Sequence, residues 1–456
     1  MGIRVSIAIV VCKFTRFLLR IFRRGGTALP GKLALGVCPD LLKHLAAGVE
    51  CIAITGTNGK TTSARMLEQF FIESDIYCIT NKSGSNMMRG IAAEFALNAT
   101  VAGKPRYKQA VIECDEAATI RVFEYLDPKV ILITNVFSDQ IDRFEDVRAV
   151  LEYIKKGVKR SPNAVICINA DDSLVSSIAD EIPNKIVYFG LDRNVYDNRS
   201  DEVSDAPLCI RCNTAYEYDY ITYGHLGGFR CPSCGYARKK PDIAVTEITA
   251  KEPDSQTVKM SVFGKAYDIK INLPGEYNIY NAAGAIAAAL QMGFTVATAK
   301  DAMLSFDCGF GRMEKFSLDG IPVRMILAKN AAGCNQVLNY LCNLSGSFLF
   351  AICLNDKTAD GTDVSWIDHA HFERLLDIGE RLRGVFVSGT RADDMARRLV
   401  ESGIPDRHIK VFKSQGDMLN AVLRQDAPVY IMPTYTAMLE VREIISRKFG
   451  VKKFWE

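Results

Sequence analysis

From residue 50 onward, short apolar runs alternate with polar loops and amphipathic stretches. The runs 51–54, 110–112, 130–133 and 165–168 have the length of buried strands, not helices. Residues 62–74 set Met66, Leu67, Phe70 and Phe71 at helical spacing. Repetition of strand, loop and helix predicts an α/β fold with a parallel sheet. Each later run ends in polar residues: Glu113, Thr134-Asn135, and Asn169-Ala170-Asp171-Asp172. Open parallel sheets bind ligands at the carboxyl ends of their strands, so these residues are expected around one crevice.

Residues 197–242 break the rhythm. They are rich in Tyr, Gly and Cys and read as an insertion. Strand-like sequence resumes at 257–263 and 267–271, and a helix is predicted over 278–292. A second α/β unit begins near residue 316, with apolar runs at 323–327, 348–354, 385–387 and 429–432. Three segments follow from this: 1–48, an N-terminal helix and lead-in; 49–315, a central domain with its insertion at about 200–240; and 316–456, a Rossmann-like domain. The 456 residues match that count at roughly 150 residues per domain.

Residues 3–24 read as one basic amphipathic helix. Ile7, Val10, Val11, Phe14, Phe17, Leu18 and Ile21 can share a face, with Lys13, Arg16, Arg20, Arg23 and Arg24 mostly opposite. Such a helix either packs on the protein itself or lies on an anionic membrane surface, and the sequence leaves both open. No run of 18 apolar residues exists, so no ordinary transmembrane helix is expected. The apolar stretch 5–12 leads into arginines, not into a small-residue cleavage site, which argues against a signal peptide.

Charge narrows the partners. Residues 1–24 hold six basic side chains and no acid, while the remainder carries 50 basic and 53 acidic ones. The body therefore lacks the field of a nucleic-acid binder. Hydrophobic residues at 48% and charged residues at 24% exclude a disordered chain. Of 14 cysteines, ten are scattered singly, which fits buried thiols in a reducing compartment.

The other four form Cys209-x-x-Cys212 and Cys231-x-x-Cys234, with 18 residues between the pairs. Two such knuckles can close a four-thiolate tetrahedral site, the pattern of a structural zinc ribbon. Between residues 209 and 234 only Arg211 and Arg230 are basic, which speaks against a nucleic-acid-binding ribbon. The five histidines are dispersed except His369 and His371, and no histidine metal site is expected.

The phosphate signal is Gly56-Thr57-Asn58-Gly59-Lys60-Thr61-Thr62 between a strand and a helix. Glycines let backbone amides turn to phosphate oxygens, and the helix start adds positive potential. Lys60 would meet the β/γ-phosphates and Thr61 a magnesium ion. The loop is shorter than the usual eight-residue form, which would need glycine five positions before Gly59, where Ile54 stands.

This short loop resembles that of the Mur ligase superfamily, which activates carboxylates with ATP. Further motifs carry the resemblance. Asn86 and Gly90 sit in a stretch similar to the family's substrate-side loop. Asp139-Gln140-Ile141-Asp142-Arg143-Phe144 resembles D-H-L-D-R-H. Glu113 resembles the magnesium-binding glutamate. In Gly275-Glu276-Tyr277-Asn278-Ile279-Tyr280-Asn281 the last Asn matches the residue that meets adenine, and in Gly311-Arg312-Met313-Glu314 the Arg matches one that reaches nucleotide phosphates. Where peptide-adding members carry D-Y-A-H-N-P, this chain has Leu327-Ala328-Lys329-Asn330-Ala331-Ala332-Gly333, without the acid and the His.

Together with the cysteine insertion, Asn355-Asp356-Lys357-Thr358-Ala359-Asp360-Gly361-Thr362-Asp363-Val364-Ser365-Trp366 and Ser388-Gly389-Thr390-Arg391-Ala392 resemble one branch of the superfamily. These are the ligase-like subunits of lipid II isoglutaminyl synthase. That resemblance implies a cytoplasmic, ATP- and Mg2+-dependent enzyme that amidates the α-carboxylate of D-glutamate in lipid II through an acyl phosphate. Catalysis would rest on Lys60, Glu113 and Asp363. Ammonia would come from a GatD-like glutaminase, whose catalytic triad Asp363 would complete. By the residues alone, Asp363 equally suits a helix cap, and Asp356 and Asp360 are the other acids in reach. The alternatives are an amino-acid-adding Mur ligase or folylpolyglutamate synthase-like enzyme, and a non-catalytic zinc-ribbon scaffold that binds ATP as a switch.

Overall fold

A computed structural model describes residues 2–21, 28–81, 85–137, 147–195, 206–252, 254–307 and 312–451. Two compact units emerge: Met1–Phe137 with Asp146–Phe306, and Ser138–Glu145 with Asp307–Glu456. The N-terminal helices thus belong to the first unit, and the division falls at residue 307. It falls there because Arg312–Leu318 already pairs with Ile321–Ile326.

The first unit is built on strands β1 (Glu50–Thr55), β2 (Cys78–Thr80), β3 (Gln109–Glu113), β4 (Val130–Ile133), β5 (Val165–Asn169) and β6 (Ile186–Leu191). After the hairpin β7 (Glu217–Tyr223) and β8 (Leu226–Arg230) come β9 (Ile243–Lys251), β10 (Gln256–Val262) and β11 (Lys265–Ile271). The nine-stranded sheet runs β11-β10-β9-β6-β5-β4-β1-β3-β2. It is parallel from β2 to β9 and antiparallel at β9-β10-β11. β1 and β4 are buried along nearly their whole length, as central parallel strands covered on both faces must be. The expected strands are present; β2, β6 and β9 were not foreseen, β2 because it is only three residues long and β9 because its apolar residues alternate with polar ones, whereas β6 carries an apolar run that was passed over.

Helices of this unit are α1 (Ile3–Ile21), α2 (Ala28–Val37), α3 (Leu41–Ala46), α4 (Lys60–Glu73), α5 (Met88–Leu97), α6 (Thr119–Leu126), α7 (Val147–Val158), α8 (Ser173–Ser176), α9 (Tyr277–Gln291) and α10 (Val296–Ser305). α9 buries Ala282, Ala283, Ala285, Ala287 and Ala288, which lets it lie close over β4, β5 and β6. α1 is held by Val5, Ala8, Ile9 and Cys12, not by the large apolar residues that the sequence pattern selects.

In the second unit, β12 (Arg312–Leu318), β13 (Ile321–Ile326), β14 (Phe348–Cys353), β15 (Leu382–Ser388), β16 (Ile409–Val411) and β17 (Val429–Pro433) form a sheet of order β12-β13-β17-β14-β15-β16. All pairs but the β12-β13 hairpin are parallel. Its helices include α11 (Ala331–Cys342) and, past the shorter α12 (Leu375–Ile378), α13 (Ala392–Glu401), α14 (Gln415–Leu423) and α15 (Tyr435–Phe449). Glu314 of the Gly311-Arg312-Met313-Glu314 motif is buried against Arg442 of α15, with Nη2 to Oε1 at 2.6 Å. This acid therefore ties β12 to the unit's last helix.

Candidate active site

β1 ends at Thr55 and α4 starts at Lys60, so the glycine-rich loop is a tight strand-to-helix turn. Gly56 and Gly59 have φ of 121° and 85°, values that favour glycine. A side chain at Gly59 would place its Cβ 2.1 Å from Asn281 Oδ1. The loop and the Gly275–Asn281 motif are thus in direct contact, although 222 positions separate Gly59 from Asn281. Asn281 is itself oriented by a bond from its Nδ2 to Asn278 Oδ1 at 3.0 Å.

The loop is braced from β4. Thr57 N donates to Asn135 O at 2.8 Å and Asn58 N to Asn135 Oδ1 at 2.9 Å. Thr134 Oγ1 donates to Asn58 O at 2.8 Å. Two of the amides expected to cradle phosphate are therefore engaged by Asn135. The amides left to meet an anion are those at the start of α4, where a helix N-terminus offers N–H groups with no intrahelical partner and positive potential. Thr62 is buried in the first turn of that helix.

Three charged residues gather beside it. Thr61 Oγ1 donates to Glu113 Oε2 at 2.8 Å. Asn81 holds the Glu113 backbone by two bonds, donating to its O at 2.8 Å and accepting from its N at 2.9 Å. Lys60 Nζ donates to Glu116 Oε1 at 2.7 Å, to Thr57 O at 3.3 Å and to Gly56 O. Burial alone would pull this ammonium down, but Glu116 first and then Glu113 outweigh it and raise its pKa. A hydroxyl and a carboxylate 2.8 Å apart are hard oxygen donors of the kind magnesium takes. Sequence reasoning missed Glu116, Asn81 and the bracing by Asn135. An acid three residues past the end of β3 was the available signal for Glu116.

Asp171 and Asp172 were expected to line the same crevice, and the structure corrects this. Asp171 is fully buried, accepting from Arg238 Nε at 2.5 Å, Tyr280 hydroxyl at 2.7 Å and Leu191 N at 3.0 Å. Burial raises its carboxyl against the pull of Arg238. Asp172 caps α8 through Leu174 N and Val175 N and accepts from Val136 N. His225, at the tip of the β7-β8 hairpin, is fully buried with Nε2 3.1 Å from Asp172 Oδ1, and its ring meets Phe137 at 4.8 Å. The inserted hairpin therefore seats on the segment after β4 that braces the loop. Phe137 completes the link, its N donating to Thr57 Oγ1 at 3.0 Å.

At the base of that hairpin the four cysteines converge. Sγ atoms of Cys209 and Cys234 are 3.6 Å apart, those of Cys212 and Cys231 3.4 Å, and all four lie within 4.8 Å of one another. A tetrahedral ion with Zn–S near 2.3 Å requires S···S of about 3.8 Å, whereas a disulfide would need about 2.0 Å. The spacing suits a shared metal.

In the second unit, Asp363 precedes the short helical turn Ser365–His369 and accepts from Ser365 N at 2.8 Å and Ser365 Oγ at 3.0 Å. These bonds lower its pKa and keep it ionised. Asp360, in contrast, is buried and accepts from Thr436 N at 2.6 Å, and Asp356 accepts from Thr390 Oγ1 at 2.8 Å. The Arg312 side chain, Arg23, Arg24 and the Asp139–Phe144 motif lie outside the described residues.

The Mur ligase middle domain matches residues 54–223 and the MurT ligase C-terminal domain residues 327–438. The MurT subunit of lipid II isoglutaminyl synthase (glutamine-hydrolyzing) from Streptococcus pneumoniae is 32% identical over 99% of both chains. That of Staphylococcus aureus strain COL is 31% identical over 97% of this chain and 98% of its own. Among solved structures, a pseudomurein peptide ligase type C from Methanothermus fervidus superposes with a TM-score of 0.64 at 20% identity, covering 88% of this chain and 79% of its own, a likeness of fold. Near-complete coverage by these relatives, with the two domain matches falling on the glycine-rich loop and on the Asp363 region described above, establishes that the chain belongs to the MurT family of lipid II isoglutaminyl synthase subunits.

Proposed function

We propose that this chain is the ATP-consuming subunit of a glutamine-hydrolysing lipid II isoglutaminyl synthase, and that it amidates the α-carboxylate of D-glutamate in the stem peptide. The observation that carries the reading is the cluster of Lys60, Thr61 and Glu113 at the start of α4, supported by the relatives' full-length similarity. A carboxylate is a poor electrophile. Its oxygen attacks the γ-phosphorus of ATP, ADP leaves, and an acyl phosphate forms. Ammonia then attacks the acyl carbon, phosphate departs and one proton is lost. Lys60 would balance charge on the transferring phosphoryl group, and the amides from Gly59 to Thr62 would hold the phosphates, with Gly56, Thr57 and Asn58 shaping the turn. Magnesium held by Thr61 and Glu113 would neutralise the β/γ-oxygens. Asn281 would meet the base and Arg312 the phosphates.

On this reading the first unit, up to Phe306, is the catalytic domain and the segment from Asp307 is the C-terminal domain. Zinc bound by Cys209, Cys212, Cys231 and Cys234 is structural, because four thiolates leave no open position. The ammonia source is a GatD-like glutaminase that binds this chain. Asp363 orients and stabilises the imidazolium of the partner's histidine. Its carboxylate accepts from Ser365, two residues along the chain, whereas Asp360 binds Thr436 and Asp356 binds Thr390 from distant segments. Working on a lipid-linked substrate places the protein in the cytoplasm at the inner face of the membrane.

Asp363→Asn in the assembled complex tests the division of labour. Glutamine-driven amidation should fall at least about a hundredfold, in line with the loss of a triad carboxylate. Free ammonia at high pH should restore most of it. Near-normal use of glutamine would mean that Asp363 only caps the turn, and failure of ammonia to rescue would place it in the synthetase site.

A further inference from the structure

α1 presents two different faces. Val5, Ala8, Ile9 and Cys12 are buried against α2 and α5. Ile3, Ile7, Val10, Phe14, Phe17 and Ile21 are 47–80% exposed. At 100° per residue these six fall within an arc of about 80°, on the side opposite the buried four. They recur at steps of four and three along the whole length of the helix. Single exposed apolar residues need no explanation, but an unbroken stripe of six over 19 residues does. Leu29 and Leu33 on neighbouring α2 are exposed as well.

We infer that α1 is a peripheral membrane-docking helix, and that its partner is an anionic bilayer surface. The inference rests on the lipid II reading and names what holds the enzyme to the compartment of its substrate. Three observations select this occupant. The first is charge: residues 1–39 carry seven basic side chains and no acid. Arg4 lies to one side of the stripe and Arg20 to the other, both exposed, where an interfacial helix meets anionic headgroups. A second copy docked through the same stripe would bring these like charges together. The second is length: no described helix is long and apolar enough to cross a membrane, so α1 lies on the surface.

The third is what α1 is fastened to. Cys12 Sγ donates to Ala93 O of α5, and Lys13 Nζ reaches Ala99 O just beyond it. α2 meets the first turn of α5 so closely that a Cβ at Gly31 would fall 1.7 Å from Arg89 O. Immediately before α5, Asn86 reaches the candidate site, with Nδ2 3.4 Å from Glu113 Oε1 and its carbonyl accepting from Asp115 N at 2.9 Å. A bilayer under α1 is therefore coupled through one packed helix layer to the edge of the site at Asn86 and Glu113. A lipid-linked substrate would approach from there.

The test is flotation of the full-length chain with vesicles of phosphatidylcholine alone and of phosphatidylcholine with phosphatidylglycerol. The wild type should float with the mixed vesicles, and less so at high salt. Phe14→Glu with Phe17→Glu should weaken partitioning by at least about tenfold, since two aromatic side chains leave the lipid boundary. Both positions are exposed, so folding should persist, as circular dichroism would verify. Arg4→Gln with Arg20→Gln should flatten the dependence on phosphatidylglycerol. Amidation by the complex is then compared on lipid II in vesicles and on a short-tailed soluble analogue. The phenylalanine variant should raise KM for the first and leave the second near wild type. Equal flotation of wild type and variant overturns the inference. So does a variant that floats normally but loses self-association or its glutaminase. Failure of the wild type to amidate either substrate would overturn the functional reading and leave the flotation result standing.

Discussion

Lys60 is held by an anion of the protein's own, and Glu116→Gln isolates that contact. Both side chains are about nine-tenths buried, and the ammonium lies 2.7 Å from the carboxylate. Removing one partner of a buried pair usually costs about 3–5 kcal/mol, because the other charge is left uncompensated. Here glutamine retains an acceptor oxygen, and the carbonyls of Gly56 and Thr57 remain on Nζ. A loss of about 2–3 kcal/mol is therefore expected. At about 2–4 °C per kcal/mol for large domains, the first unit should melt at least about 4 °C lower without nucleotide. Triphosphate reverses the balance. In the wild type Lys60 must leave Glu116 to reach the phosphates, so the exchange is nearly even. In the variant it gains an anion without surrendering one. A non-hydrolysable ATP analogue with magnesium should close most of the gap in melting temperature. Its Kd should fall by about tenfold, about 1.4 kcal/mol. Differential scanning fluorimetry and isothermal titration calorimetry read the two quantities. An equal gap with and without nucleotide would refute the competition, and weaker binding by the variant would make Glu116 part of the nucleotide site.

Purified protein should hold about one zinc per chain, and Cys209→Ser should release it and speed hydrogen exchange in the β7-β8 hairpin. Because that hairpin seats His225 on Asp172 and Phe137, the zinc-free protein should also bind ATP more weakly; no metal by elemental analysis after chelator-free preparation would contradict the assignment. A pH effect is expected at the α1–α5 contact. Burial raises Glu94 from the usual 4.5 to about 7, with Arg16 and Arg20 only partly offsetting it. The folded state then holds a proton that the unfolded state releases, so stability should fall as pH rises from about 4.5 to about 7 and level off above, by up to about 3 kcal/mol. Glu94→Gln should remove that slope and be the more stable protein at pH 8; denaturant titrations of both proteins at pH 5 and pH 8 with parallel slopes would count against it.

Much of the candidate site was legible in the chain because its chemistry is local. Seven consecutive residues make the loop, a strand end places Glu113, and Cys-x-x-Cys spacing brings sulfurs in pairs. The apolar runs announced most of the parallel strands, since a strand covered on both faces leaves little freedom in its composition. Contacts made across long loops were not legible. Lys60 and Glu116 are 56 positions apart, and only the β1-β3 pairing brings them together. Asp171 and Asp172 lie just past the end of β5 much as Glu113 lies at the end of β3, yet the insertion covers them with Arg238 and His225. No periodicity reports that coverage. The helix at the N-terminus makes the same point. Its apolar period was plain, but two apolar faces compete on it, and the sequence left open whether the face of larger side chains turns to the protein or to a membrane. Close approach to α2 and α5 favours the face of Val5, Ala8, Ile9 and Cys12. A helix–helix seam is selected by fit as well as by hydrophobicity, and fit exists only once the neighbouring helices are in place.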